Sequence, residues 1–214
     1  MSRTRSRTAG RGIALAAGLA VVAGAAQAGR LDLVPVAGLD VESFVIDAVS
    51  VPGEPDRIVL LEYSGRVLVA DRAAGTTQVM LEATVVEGID LGASSASGVF
   101  SIALAPDFAD SGRFYLSGNT ADRRNVVLEY ASSGLVADPG SQRRVATIAA
   151  QPDGEPGLHY GGAISFDAAG MLFLTTGDSN GAFAGDASPS QDVTSRLGKV
   201  LRIDPGGDAY PDDP

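Results

Sequence analysis

The stretch ALAPDFADSGRFYL, Ala103 to Leu116, reads as a strand, a polar turn carrying Asp, and a second apolar strand. The same pattern occurs earlier as VSVPGEPDRIVLL, Val49 to Leu61, and later as ISFDAAGMLFL, Ile164 to Leu174. The spacing is roughly 55 to 60 residues, a little above the usual propeller repeat. Two all-β architectures fit such a pattern. One is a β-propeller, in which each repeat is a blade. The other is a strand-rich sandwich, since strands at regular spacing suit both.

Working outward, short apolar runs fill the chain between these repeats. Arg57 to Glu62, Arg66 to Ala70, Thr77 to Ala83, Val99 to Ala105, Arg113 to Ser117, Asn125 to Tyr130 and Arg144 to Ala149 read as strands. So do Ala163 to Phe166, Met171 to Thr175 and Gly198 to Ile203. Tyr63-Ser64-Gly65 suits a tight hairpin. No sustained 3.6-residue period occurs after residue 28. Twenty-seven Gly and 11 Pro supply the turns that many short strands require. Cysteine is absent, so disulfides and thiolate metal sites are excluded.

Residues 1–28 read as an export signal. Arg3, Arg5, Arg7 and Arg11 form a basic start, Ile13 to Ala25 is apolar, and Ala26-Gln27-Ala28 is an A-x-A cleavage site. The apolar run is shorter than the roughly 20 residues a membrane span needs. Export to the periplasm or outside the cell is therefore expected, with no membrane span in the mature form. Removing four arginines and no acid moves the formal charge from −10 to −14. Such a surface repels phosphate and argues against a nucleic-acid partner. Residues 29–214 form the expected partial propeller of about three blades. A closed ring takes 4 to 8, so a truncated or fragmentary chain is expected.

The chain has one histidine, His159. It lies between Pro156-Gly157-Leu158 and Gly161-Gly162, on a loop before a strand, where functional residues concentrate. Neutral imidazole is a suitable general base near neutral pH. On residues alone, a surface or core histidine with no task is the commoner case. Asp178, 19 residues on, follows the Met171 to Thr175 strand. It can orient the imidazole or simply cap a turn. Asp178, Asn180 and Asp186 offer oxygen ligands, but their spacing departs from the EF-hand loop, and no metal site is assigned. Lys199 and Arg202 flank Val200-Leu201; they read as a solvated strand face or as two groups aimed at one ligand. Phosphate-binding glycine loops, nucleophile elbows and H-E-x-x-H are absent.

From Gly98 to Pro214 the chain resembles the glucose/sorbosone dehydrogenase family of soluble quinoprotein sugar dehydrogenases. Gly98 to Phe108 is similar to the family's G-L-L-G-I-A-F-H-P-D-F. His159-Tyr160-Gly161-Gly162 is similar to H-x-G-G, and Leu174-Thr175-Thr176-Gly177-Asp178 follows in order. Gln191-Asp192 and Leu197 to Asp204 resemble Q-D and L-G-K-I-L-R-I-D. The resemblance implies a six-bladed propeller that oxidises an aldose at its anomeric carbon. It implies pyrroloquinoline quinone (PQQ) and calcium as cofactors, a small sugar as substrate and an external electron acceptor. It gives His159 the role of base and Asp178 that of its orienting partner. Three departures stand out. Ala96 replaces a sugar-contacting Gln, Leu158 replaces an Asp, and Ala163 sits where an Arg is common. The family's main cofactor and calcium residues lie beyond this chain, so cofactor-binding residues are not assigned and the chain alone is expected to be inactive. The alternative is a non-catalytic exported propeller that binds a carbohydrate or a protein partner.

Overall fold

Each of the three repeats folds as the first two strands of an antiparallel sheet. The structure is a computed structural model that describes residues 36, 39–91, 97–148, 159–178 and 189–206. The expected export signal, Ala96, Leu158, Asn180 and Asp186 lie outside the described residues. The first sheet is a meander of β1 (Val45–Val51), β2 (Glu54–Glu62), β3 (Val67–Asp71) and β4 (Thr76–Leu81). The second repeats this order with β5 (Val99–Leu104), β6 (Arg113–Asn119), β7 (Asn125–Ser133) and β8 (Val136–Ile148). The third contains β9 (Gly161–Phe166), β10 (Leu172–Thr176) and β11 (Val200–Ile203). A one-turn helix, α1 (Phe108–Ser111), sits in the polar turn of the second repeat.

The middle sheet explains why the layers stack as blades and not as a two-layer sandwich. Successive side chains on a strand point to opposite faces. Leu116 and Leu128 therefore face the first sheet, where they join Val59, Leu61 and Val69. Tyr115 and Val127 face the third sheet and meet Ile164, Leu172 and Leu174. Both faces of β6 and β7 are buried, which is why Phe114-Tyr115-Leu116 is apolar without alternation. Each fully buried Leu or Phe contributes about 1.5–3 kcal/mol by leaving water. The first strands of the sheets adjoin, β1 against β5 and β5 against β9. Three consecutive meanders packed face to face, with their first strands side by side, are three blades of a β-propeller.

Polar bonds stitch these inner strands together. Asp47 Oδ2 accepts from the Ile102 amide at 3.0 Å and from Ser101 Oγ at 2.6 Å. Ser101 Oγ in turn accepts from the Ile164 amide at 3.2 Å. Asp47 and Ser101 occupy the same place in their blades, directly after a bulge in β1 and in β5. The same place in β9 is Ala163, after a matching irregularity between Leu174 and Thr176.

The expected strands all form. Several run longer than the sequence suggests, β8 and β1 by the most. β8 begins at Val136 and not near Arg144, because Gly134 (φ 61°) closes a hairpin and the Pro139-Gly140 segment interrupts the pairing of an edge strand without ending it. β1 starts at Val45, four residues before the repeat becomes legible.

Candidate active site

The repeat also places the candidate catalytic pair. In each blade the residue at the end of the second strand, or the one just after it, donates its amide to a carbonyl just before the first. The bonds are Tyr63 N to Phe44 O (2.7 Å), Asn119 N to Gly98 O (3.1 Å) and Gly177 N to Tyr160 O (2.8 Å). One residue further out on each side come Ser43 and Ser64, then Ser97 and Thr120, then His159 and Asp178. The third blade thus carries an imidazole and a carboxylate where the first two carry hydroxyls.

These two side chains meet. His159 Nδ1 lies 3.0 Å from Asp178 Oδ1. A carboxylate only accepts, so Nδ1–H is the donor and Nε2 is left as the basic nitrogen. The imidazole is about half exposed, at 47%, while the carboxylate is mostly covered, at 19%. A histidine that solvent and solute can reach, backed by a sheltered acid, is suited to take a proton from an incoming hydroxyl.

Close packing fixes the His159 loop. His159 is in the left-handed region at φ 60°, a conformation costing about 1–2 kcal/mol in a non-glycine residue. Gly177 holds it there from one side: a Cβ at Gly177 would stand 1.4 Å from the His159 carbonyl oxygen. Gly162 (φ 107°) admits the Phe100 ring, which would lie 2.5 Å from a Cβ at that position. The Phe100 ring also stacks on Tyr160, with centroids 6.2 Å apart and 20° between planes. Ser117 Oγ donates to the Gly162 carbonyl, and Asn125 Nδ2 donates to the Tyr160 carbonyl at 2.8 Å. Phe100, Ser117 and Asn125 were not legible as site residues. The one local hint was the glycine pair Gly161-Gly162, which signals that something approaches closely.

Lys199 and Arg202 do not converge on one ligand. Lys199 Nζ donates to the carbonyls of Pro189 (2.9 Å), Ser190 (3.1 Å) and Leu197 (2.9 Å). This ties down the loop before β11, and Gly198 N reaches the Gly177 carbonyl at 2.8 Å. Arg202 pairs with Asp167 at 3.1 Å. The Met171 amide, then the Arg202 guanidinium, hold the Asp167 carboxyl below its ordinary value. Among the described residues no cluster of three His, Cys, Asp or Glu side chains is placed to hold a metal ion. No helix among them is long and apolar enough to cross a membrane.

The family profile described as Glucose / Sorbosone dehydrogenase matches residues 53–214. The chain belongs to the glucose/sorbosone dehydrogenase family. The match reaches well before Gly98 and takes in most of the first blade. The aldose sugar dehydrogenase YliI of Escherichia coli (strain K12) is 30% identical over 127 residues, covering 58% of this chain and 33% of the relative. The PQQ-bound aldose sugar dehydrogenase of Streptomyces coelicolor superposes with a TM-score of 0.62 at 26% identity, covering 85% of this chain and 50% of that one. A Thermus thermophilus structure described as a putative oxidoreductase (glucose dehydrogenase) gives a TM-score of 0.59 at 28% identity, covering 84% and 48%. This glucose/sorbosone dehydrogenase chain therefore spans a third of that curated relative and about half of those solved structures.

PQQ is a quinone bearing three carboxylates, so its seat needs cations that are not otherwise engaged. Lys199, next to Thr176 on the Asp178 side, is held by three carbonyls, and Arg202 by Asp167. Neither Lys199 nor Arg202 is therefore available for the quinone's carboxylates.

Proposed function

We propose that this chain is the base-bearing half of an exported aldose sugar dehydrogenase, acting in the periplasm or outside the cell. The observation that carries the reading is the 3.0 Å contact between His159 Nδ1 and Asp178 Oδ1. His159 Nε2 takes the proton of the sugar's anomeric hydroxyl. Asp178 keeps the imidazole in the Nδ1–H form and stabilises the imidazolium that results. Oxidation of the anomeric carbon also needs a hydride acceptor. For the whole protein the resemblance points to PQQ with calcium, re-oxidised by an external electron acceptor. Those groups belong to residues other than the ones described.

The test is dye-linked oxidation of a panel of aldoses by the full-length protein, with PQQ and calcium added. His159→Ala is expected to lower kcat by about 10²- to 10⁴-fold, the ordinary contribution of a positioned base. Full activity in that variant would sink the assignment. A second reading, a non-catalytic propeller that binds a carbohydrate or protein partner, is favoured by the engaged state of Lys199. It predicts saturable sugar or partner binding with no dye reduction at any quinone concentration.

A further inference from the structure

Asn125 begins β7, in the second blade, yet its side chain acts on the third. It is buried, at 4% exposure, and its Nδ2 donates to the Tyr160 carbonyl at 2.8 Å, across 35 residues of sequence. That carbonyl is already bonded by the Gly177 amide at 2.8 Å. The peptide following Tyr160, one residue beyond His159, is thus gripped twice, once from its own blade and once from the neighbouring blade.

Comparison between blades separates this grip from ordinary propeller packing. Continuing the β2–β3 register past its last pair, Leu61 with Val67, sets Gly65 of the hairpin turn where Asn125 stands opposite Asn119 in the second blade. Glycine has no side chain to reach across, and the carbonyl equivalent to Tyr160 O, that of Gly98, accepts from the Asn119 amide. At the joint between the first two blades a different cross-blade donor reaches a different carbonyl, Tyr63 Oη to Ser97 O at 3.2 Å. At the joint next to His159 the Tyr160 carbonyl itself is taken from the neighbouring blade.

A second observation concerns the other end of the amide. Asn125 Oδ1 is buried and has no hydrogen-bond partner among the described residues. An orphaned buried acceptor costs about 1–3 kcal/mol, and an apolar residue of similar size would avoid it. Turning the amide over would set Oδ1 against the Tyr160 carbonyl, oxygen against oxygen. The residue therefore keeps an unsatisfied atom in order to place its donor.

We propose that Asn125 is a positioning residue for His159: by holding the Tyr160 carbonyl from the second blade, it keeps His159 in its left-handed conformation with Nδ1–H on Asp178. This rests on His159 being the base, but it is testable without turnover. His159 is the sole histidine of this sequence, and in the ¹⁵N-histidine-labelled protein its imidazole signals are those that His159→Ala removes. The wild type is expected to show the Nδ1–H tautomer. Asn125→Leu removes the donor and the orphaned acceptor together, so stability should change little. Its imidazole is expected to shift toward the Nε2–H tautomer with exchange broadening. Asn125→Ala, which cannot overfill the site, is read the same way should the leucine variant not fold. Wild-type imidazole signals in either folded variant overturn the proposal. Absence of sugar oxidation by the full-length wild-type protein with PQQ and calcium would instead count against the catalytic reading, leaving the tautomer result to stand alone.

Discussion

Gly177→Ala tests whether the His159 loop is held by close backbone contact. The new Cβ would sit 1.4 Å from the His159 carbonyl oxygen and 2.2 Å from its carbonyl carbon. Real Cβ contacts essentially never fall under 3.0 Å, so the two segments must separate by at least about 1.6 Å. The obstructing atoms are backbone and have no rotamer into which to retreat. A movement of that size takes the 2.8 Å Gly177 N to Tyr160 O bond out of hydrogen-bond range and pulls His159 from Asp178. Overpacking costs about 1–3 kcal/mol and the lost bond about 0.5–1.5 kcal/mol, together roughly 2–4 kcal/mol. At about 2–4 °C per kcal/mol for a domain of this size, the melting temperature should fall by roughly 5–15 °C. Gly170→Ala is the control. That position has φ +80° but open space around a Cβ, so only backbone strain of about 1 kcal/mol is expected. The assay is urea and thermal unfolding followed by circular dichroism, with the lone histidine's ¹⁵N signals read in parallel. If Gly177→Ala melts with Gly170→Ala and leaves the imidazole signals unchanged, the close-contact argument is wrong.

Ser101→Ala should strand the Ile164 amide of a buried residue and remove a donor from Asp47, costing about 1–3 kcal/mol. Hydrogen exchange at Ile164 should accelerate; unchanged protection would mean the inter-blade bond carries no weight. Acid stability should depend on Glu129. Burial raises its carboxyl pKa, but the Arg143 guanidinium and the Tyr115 hydroxyl outweigh burial and hold it below the ordinary value. A group lowered in the folded state contributes stability above its unfolded pKa and loses it as pH falls through the folded pKa. Wild type should therefore exceed Glu129→Gln in urea midpoint at pH 7, with the gap closing below about pH 4.5. A gap that widens in acid would reverse the sign of the argument.

Much of the fold could be read along the chain because its signals are local. Val49 to Leu61, Ala103 to Leu116 and Ile164 to Leu174 each encode a strand pair within about a dozen residues, through runs of apolar side chains broken by Asp and Gly. The turn at Tyr63-Ser64-Gly65 was equally plain, and Gly65 adopts φ +92° there. The early start of β8 was not legible, because a strand can run through Pro139-Gly140 only as an edge strand, a fact about neighbours and not about sequence.

By itself the sequence determined the strands, their recurrence and the presence of a single imidazole beside a glycine pair. Whether His159 and Asp178 would touch was a matter for the tertiary structure, since 19 residues and a strand pair separate them. The blades' stitching through Asp47, Ser101 and Ile164, and the grip of Asn125 on Tyr160, span 54, 63 and 35 residues. No local period encodes a contact between blades. Such contacts exist only once three sheets, each buried against the next, bring the starts of their inner strands together.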